Sequence, residues 1–542
     1  MTKPGILGMV LLLGAVRIVA AAEDDVMMRA MVDELDRSMK QLVIEGLPKS
    51  YFIQLTGQDR TTFVMSAAYG GLQRNNQRRV RTIKSRIRVG SYRLDNTNFG
   101  RGAGRAGLLP LDDDYTALRQ AIWLVLDEDY KRSVETLTAK LAYLKDKSAT
   151  ERPDDFAPVE PVVASEPLAS LAFDAKEWES NLKRLSARFA KHSAIQDSAV
   201  SLFAGKADQW IVTSAGTRLR TGDSGVLIEI SAEIQAGDGM YLSDSRRYVG
   251  ETFEQIASIE QMLADVDQLC VKLIAQAEAE VLEHYTGPVL FEPIAAGIVV
   301  ESLLGDKLCA RPIPVGAGGW ADNSLEKKIG LRILPRSFQV FDDPGTKRFA
   351  GKLLAGAYSY DDEARQPQRV KLVENGILKT LVSSRAPTDK ITRSTGHGRS
   401  RGFGDPSATI GCLYLRDEQG VGADELKTEL RQAAREEGLE FSLRIEALER
   451  GGAGSLGDPI YAYKVFVEDG REEPVRGIKF QPVSIRAFKR ILAAGDSPDV
   501  YNSISRLPTS FVVPALLFEE LDLTKIEEEF DKLPILKPPA LR

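Results

Sequence analysis

The alternation of apolar and polar positions divides this chain into two stretches of different texture. Up to about residue 287, helical and extended patterns alternate; beyond it, extended patterns dominate. Glu23 to Lys49 carries apolar residues at helical spacing, and Tyr51 to Tyr69 turns β-rich. The segment RRVRTIKSRIRVG places Ile83, Ile87 and Val89 on one face of a strand and Lys84, Arg86 and Arg88 on the other. Such alternation predicts a strand whose basic face is wet. Helices are predicted over Tyr115 to Leu126 and Asp129 to Lys145, after a start at LPLDDDY where aspartates can cap free N–H groups. The Pro- and acid-rich ERPDDFAPVEPVVASEP reads as a linker or surface-hugging loop.

A second block repeats helix and strands. LFAGKADQWIVTSAGTRLRTGDSGVLIEISAEIQ predicts strands joined by Ser-Ala-Gly and Gly-Asp-Ser-Gly turns. Thr252 with Gln255 fits a capping box, and Phe253, Ile256, Ile259, Leu263, Val266, Leu269, Leu273 and Ala277 follow at helical spacing. This predicts one long helix closed by Gly287. Past it, RVKLVENGILKTLV predicts a hairpin turning at Asn375-Gly376, and SFVVPALLFEELDL alternates again. The expected fold class is α+β with two domains: 23–287, helix-and-sheet with a long closing helix, and 288–542, β-rich.

Length agrees with this division, since 542 residues exceed what one hydrophobic core holds. A composition of 43% hydrophobic and 27% charged residues excludes wholesale disorder, and a net charge of −6 gives no global argument for nucleic acid as a partner. The first residues, MTKPGILGMVLLLGAVRIVAAAEDD, have one Lys, an apolar stretch and three alanines before an acidic start. They read as a secretory signal over 1–22, a retained anchor being the alternative because Arg17 interrupts the apolar run. Cleavage would take Lys3 and Arg17 and no acid, moving the net charge from −6 to −8. The protein is expected to be exported and periplasmic, with no membrane attachment beyond that signal. Cys270, Cys309 and Cys412 cannot build a disulfide framework; Cys270 falls among core positions, and one bridge among the three stays open.

The chemistry turns on GIVVESLLGD, an apolar helical segment carrying Glu301 and Asp306. Two carboxylates five apart lie about 140° apart around an ideal helix, so they converge only where the helix ends or widens at Gly305. Only three histidines exist, His192, His284 and His397, and no pair has metal-ligand spacing. His192 is expected on a polar, exposed helix surface and His284 at the end of the long helix. His397, with Arg399, lies in the Gly- and Arg-rich loop RSTGHGRSRGFGD, of the kind that lines clefts and binds substrate.

GPVLFEPIAAGIVVESLLGD, KIGLRILPRSFQVFDDPG, YSYDDEARQPQRVKLVENGILKTLVSSR, STGHGRS and PTSFVVPALLFEELDL together resemble the TldD/PmbA family, in the family's order. These are zinc metallopeptidases and their non-catalytic sister subunits, also called modulators of DNA gyrase. The resemblance is close over Gly287 to about Leu523 and looser before. Active members carry HExxxH on the motif helix. Laid on that pattern, the first His falls on Glu301, the Glu on Ser302 and the second His on Asp306; the stretch SISRLPTS lacks the family's cysteine ligand. The resemblance therefore implies a pseudoenzyme with no catalytic residue and no metal of its own, zinc being held by an HExxxH-bearing TldD-like partner. It further implies a heterodimer around a cavity that binds unfolded peptides by strand addition. The alternatives are a self-sufficient peptidase using Glu301 and Asp306 as oxygen ligands for Mg or Ca, and an exported peptide-binding scaffold.

Overall fold

A computed structural model describes residues 25–100, 104–145, 152–317, 325–400, 404–452, 454–505, 507–527, 530, 532–534 and 536. The expected signal at 1–22 lies outside the described residues. Helix α1 (Val26–Gln41) starts where Asp25 caps the Met28 N–H at 2.9 Å. Strands β1 (Ser50–Ala68) and β2 (Gly71–Val89) form an antiparallel hairpin. Its turn is Tyr69-Gly70, both at positive φ (48° and 83°), the twist-matched geometry for a two-residue connection. Strand β3 (Arg105–Leu108) and helix α2 (Tyr115–Lys145) follow. The expected break near 127 does not occur. No Gly or Pro interrupts α2, and Asp129 turns inward, accepting hydrogen bonds from the Ser85 hydroxyl (2.7 Å) and the Ile87 N–H (3.1 Å).

Strand β4 (Val163–Ser165), helix α3 (Ala175–Ala187) and strands β5 (Asp197–Thr213), β6 (Arg218–Gln235) and β7 (Tyr241–Gly250) complete a seven-stranded sheet. Its order is β3-β2-β1-β5-β6, with β7 and β4 pairing different parts of β6. Helix α4 (Ile259–Ala277) covers part of it. It is shorter than its apolar pattern predicts. Ser258, not Thr252, caps it, bonding the Gln261 N–H at 3.2 Å, and it ends at Ala277. Gly287 lies instead within a strand, and His284 opens that strand.

All four helices of this half pack on one face of the sheet. Ile53, Leu55, Met65 and Ala67 of β1 point toward them and are buried with α1, α2, α3 and α4. The alternate positions point to the other face, where pairing aligns Val64, Phe203 and Leu227 in a row. That bare face turns toward the second half of the chain.

Strands β8 (Glu280–Val281) and β9 (His284–Phe291) lead into helix α5 (Pro293–Leu303). The second half is built on an eight-stranded sheet containing β9 and a six-stranded sheet whose edge strand is Asp499–Ser503. One apolar core running from Leu282 to Leu523 holds both, with α5 inside it. The hairpin at Asn375-Gly376 forms with φ of 51° and 73°. No strand of the first sheet pairs with the others among the described residues.

The basic face of β2 is not wet. Arg86 and Arg88 are each only 6% exposed, because that face is covered by the second half. Lys84 Nζ donates to the Gly404 carbonyl at 2.8 Å, and Arg86 Nε sits 3.7 Å from Asp405. Phe156 of the Pro-rich segment is clamped between Arg88 (3.6 Å) and Arg385 (3.8 Å), one guanidinium from each half. Among the described residues, no helix is long and apolar enough to cross a membrane.

Candidate functional site

The segment bearing Glu301 and Asp306 folds as the carboxylate geometry requires. Pro293 sits at the first position of α5, where a missing N–H costs nothing, and the apolar run buries Ala295 to Val300. The helix stops at Leu303, and a 3₁₀ turn over Gly305–Leu308 follows. The change of winding brings Glu301 and Asp306 onto one cleft of about 270 Å³, together with Ser302, Thr409, Arg450 and Phe511.

Neither carboxylate is free in that cleft. Glu301 accepts from the Ser503 hydroxyl (Oε1, 2.7 Å), the Tyr501 hydroxyl (Oε2, 3.0 Å) and the Arg450 guanidinium (Oε1, 2.5 Å). Its side chain is 13% exposed, that of Arg450 50%. Asp306 pairs with Arg311 at 3.0 Å, and Arg311 is held in turn by the Ala408 carbonyl at 2.8 Å. Burial and the nearby Glu301 charge raise the Tyr501 hydroxyl pKa, so it remains a protonated donor. Zinc does not fit this donor set. Both Glu301 oxygens serve protein donors, Asp306 carries its own cation, and Ser302 offers no general base. Among the described residues, no three His, Cys, Asp or Glu side chains lie together as a metal group.

The other candidates lie elsewhere. His397 is fully buried, its Nε2 2.8 Å from Asp342 and its Nδ1 3.0 Å from the Thr395 carbonyl. It is therefore an internal tie and lines no cleft. Arg399 is half-buried with its guanidinium 4.2 Å above the Tyr358 ring. His192 is not on an exposed surface but caps a short turn, 3.1 Å from Asp267. The three cysteines are free and buried, and burial pushes the Cys309 thiol up to about 11.

Sequence reasoning missed Arg450, Arg311, Tyr501 and Ser503. Arg450 stands 149 residues from Glu301, at the start of a glycine-rich loop, and no spacing rule connects them. Ser503 opens the stretch where a cysteine ligand was sought, and it supplies a hydroxyl instead.

A second, larger cleft of about 1050 Å³ adjoins the first, with Arg450 on both linings. One wall is the bare face of the first sheet, including Glu229, Ser231, Ser245 and Arg247. The opposite wall carries Ile294, Ile298, Tyr501 and Asn502. Two strands with an edge unpaired among the described residues, β7 and Asp499–Ser503, border this space.

An α+β chain of two joined sheet systems, with a helix-end carboxylate pair beside an inter-half chamber, has clear relatives. Residues 284–525 match the PmbA/TldA metallopeptidase C-terminal domain. A metalloprotease of Methanothermobacter thermautotrophicus is 25% identical over 320 residues, 56% of this chain and 64% of that one. A metalloprotease of Archaeoglobus fulgidus is 25% identical over 215 residues, 39% of this chain and 45% of that one. The chain thus spans less than two thirds of the length of these curated relatives. Among solved structures, TldE from Thermococcus kodakarensis covers 91% of this chain and 100% of its own, with a TM-score of 0.60 at 11% identity. A protein from Thermotoga maritima assigned as a modulator of DNA gyrase covers 91% and 99%, with a TM-score of 0.61 at 16% identity. These structural likenesses concern the fold. Residues 284–525 thus form a PmbA/TldA metallopeptidase C-terminal domain, and the fold of the chain is that of the TldE and gyrase-modulator structures.

Proposed function

We propose that this chain is a non-catalytic subunit of a TldD/PmbA-type peptidase assembly, exported to the periplasm, that holds unfolded peptides for cleavage by an HExxxH-bearing partner. The observation that carries the reading is the neutralisation of Glu301 by Arg450, Tyr501 and Ser503, and of Asp306 by Arg311. A carboxylate already serving as acceptor to protein donors has little left to offer a cation, and Ser302, at the position of the general base, cannot take a proton from water. The two unpaired strand edges around the larger cleft support peptide binding. An extended peptide can add to either edge through main-chain hydrogen bonds, which are indifferent to sequence.

The test is binding and cleavage measured together on the purified chain. A labelled unfolded peptide should bind the lone chain and remain intact, and cleavage should appear only when a zinc-bearing sister subunit is added. Cleavage by the lone chain, abolished by chelator and by Glu301→Ala, would establish the self-sufficient peptidase instead.

A further inference from the structure

Arg450 occupies a singular place. It lines the chamber of about 1050 Å³ and also the cleft of about 270 Å³, and among the described residues no other is common to the two linings. Its side chain is half-exposed, and its one hydrogen bond among the described residues goes to Glu301. A guanidinium carries five N–H donors, so most of this one's donors are unspent at the passage between two cavities. It is nonetheless held in place. Glu301 fixes one end of the fork and is itself fixed by Tyr501 and Ser503, so little side-chain entropy is left to lose on binding an acceptor. Gly451 and Gly452 follow it on the cleft wall, and at Gly451 a side chain would collide with the backbone of Ser455 to Gly457, so the loop closes tightly behind the guanidinium.

The charge balance selects the kind of acceptor. Around the cleft, Arg450 is offset by Glu301 and Arg311 by Asp306. A site whose described charges balance repays the desolvation of a neutral carbonyl better than that of an added carboxylate. Arg450 lies on the linings of both cavities, which suits a chain passing from one into the other rather than a chain end. Resting on the peptide-binding reading above, we propose that Arg450 is a substrate-positioning residue that donates to a main-chain carbonyl of an extended peptide threaded from the chamber into the cleft.

Fluorescence anisotropy on the full chain tests this with one uncharged, unstructured peptide in two forms, C-terminally amidated and free acid. Arg450→Gln should weaken both forms by about tenfold, the worth of one charge-assisted hydrogen bond, and Arg450→Lys should recover part of the loss. Thermal melts of both variants should stay within a few degrees of the wild type, since the pair they alter is partly in water. Wild-type binding with an indifferent Arg450→Gln variant overturns this inference and leaves the peptide-binding reading standing. A loss confined to the free-acid form assigns the acceptor to a terminal carboxylate and also overturns it. A wild type that binds neither form overturns both readings.

Discussion

Two regions of this molecule are rich in charge, and they treat it in opposite ways. Between the halves, β2 and its neighbours bury charges almost completely: Lys140 and Asp95 are wholly inside, Asp155 is 2% exposed, and Arg86 and Arg88 are 6% exposed. At the end of α5, the charged pairs Glu301–Arg450 and Asp306–Arg311 remain partly in water. In the first region every partner removed leaves an orphan in a dry place, so the charges act as struts. In the second, solvent compensates for changes, and the half-exposed Arg450 stays within reach of a ligand. Burial rather than density of charge separates scaffold from site.

The sharpest way to break this contrast is at Lys140, whose Nζ donates to Asp155 (2.6 Å), the Thr97 carbonyl (2.6 Å) and the Asp95 carbonyl (3.0 Å). Lys140→Ala should cost about 3–5 kcal/mol in urea unfolding, because it leaves the buried Asp95 and Thr97 carbonyls without their donor and Asp155 with Arg152 as its remaining cation. A cost below 1 kcal/mol would mean that water reaches this network. Phe156→Ala should follow, at about 3 kcal/mol, as it empties a buried ring site and removes the face shared by Arg88 and Arg385.

Asp129 gives a pH signature. Burial raises its carboxyl to about 7. The folded state then holds a proton that the unfolded chain has released above its ordinary value near 3.8, so stability falls as pH rises from about 4 to 7. Asp129→Asn should flatten that part of the stability profile while keeping an acceptor for Ser85 and Ile87. An unchanged slope would remove Asp129 as the cause. Smallest is Glu301→Gln, which weakens hydrogen bonds at a partly solvated site and should cost about 1 kcal/mol. A loss as large as that of Lys140→Ala would erase the distinction between the two regions.

The same contrast explains what was legible in the sequence. Local rules read correctly: the Asn375-Gly376 hairpin, the alternation of Ile83, Ile87 and Val89, the burial of Cys270, and the convergence of Glu301 and Asp306 once winding changes at Gly305. Alternation reports that a strand has two different faces, but not which one is wet. The face bearing Lys84, Arg86 and Arg88 became interior because residues 404–405, more than 300 positions away, close over it. Helix bounds failed where tertiary contacts outvoted pattern: Asp129 carried α2 through a polar stretch, and the apolar spacing from Phe253 continued before the helical backbone began at Ile259. At the site, the two carboxylates were visible and the groups that neutralise them were not, since Arg450, Tyr501 and Ser503 reach Glu301 only through the fold.

The most direct test of the central claim is zinc titration of the purified full chain, with calorimetric readout and metal analysis after dialysis. With Glu301 and Asp306 committed to protein donors, the chain should retain no stoichiometric zinc, and Glu301→Ala should leave that result unchanged. One tightly held zinc per chain, lost in Glu301→Ala, would contradict the account.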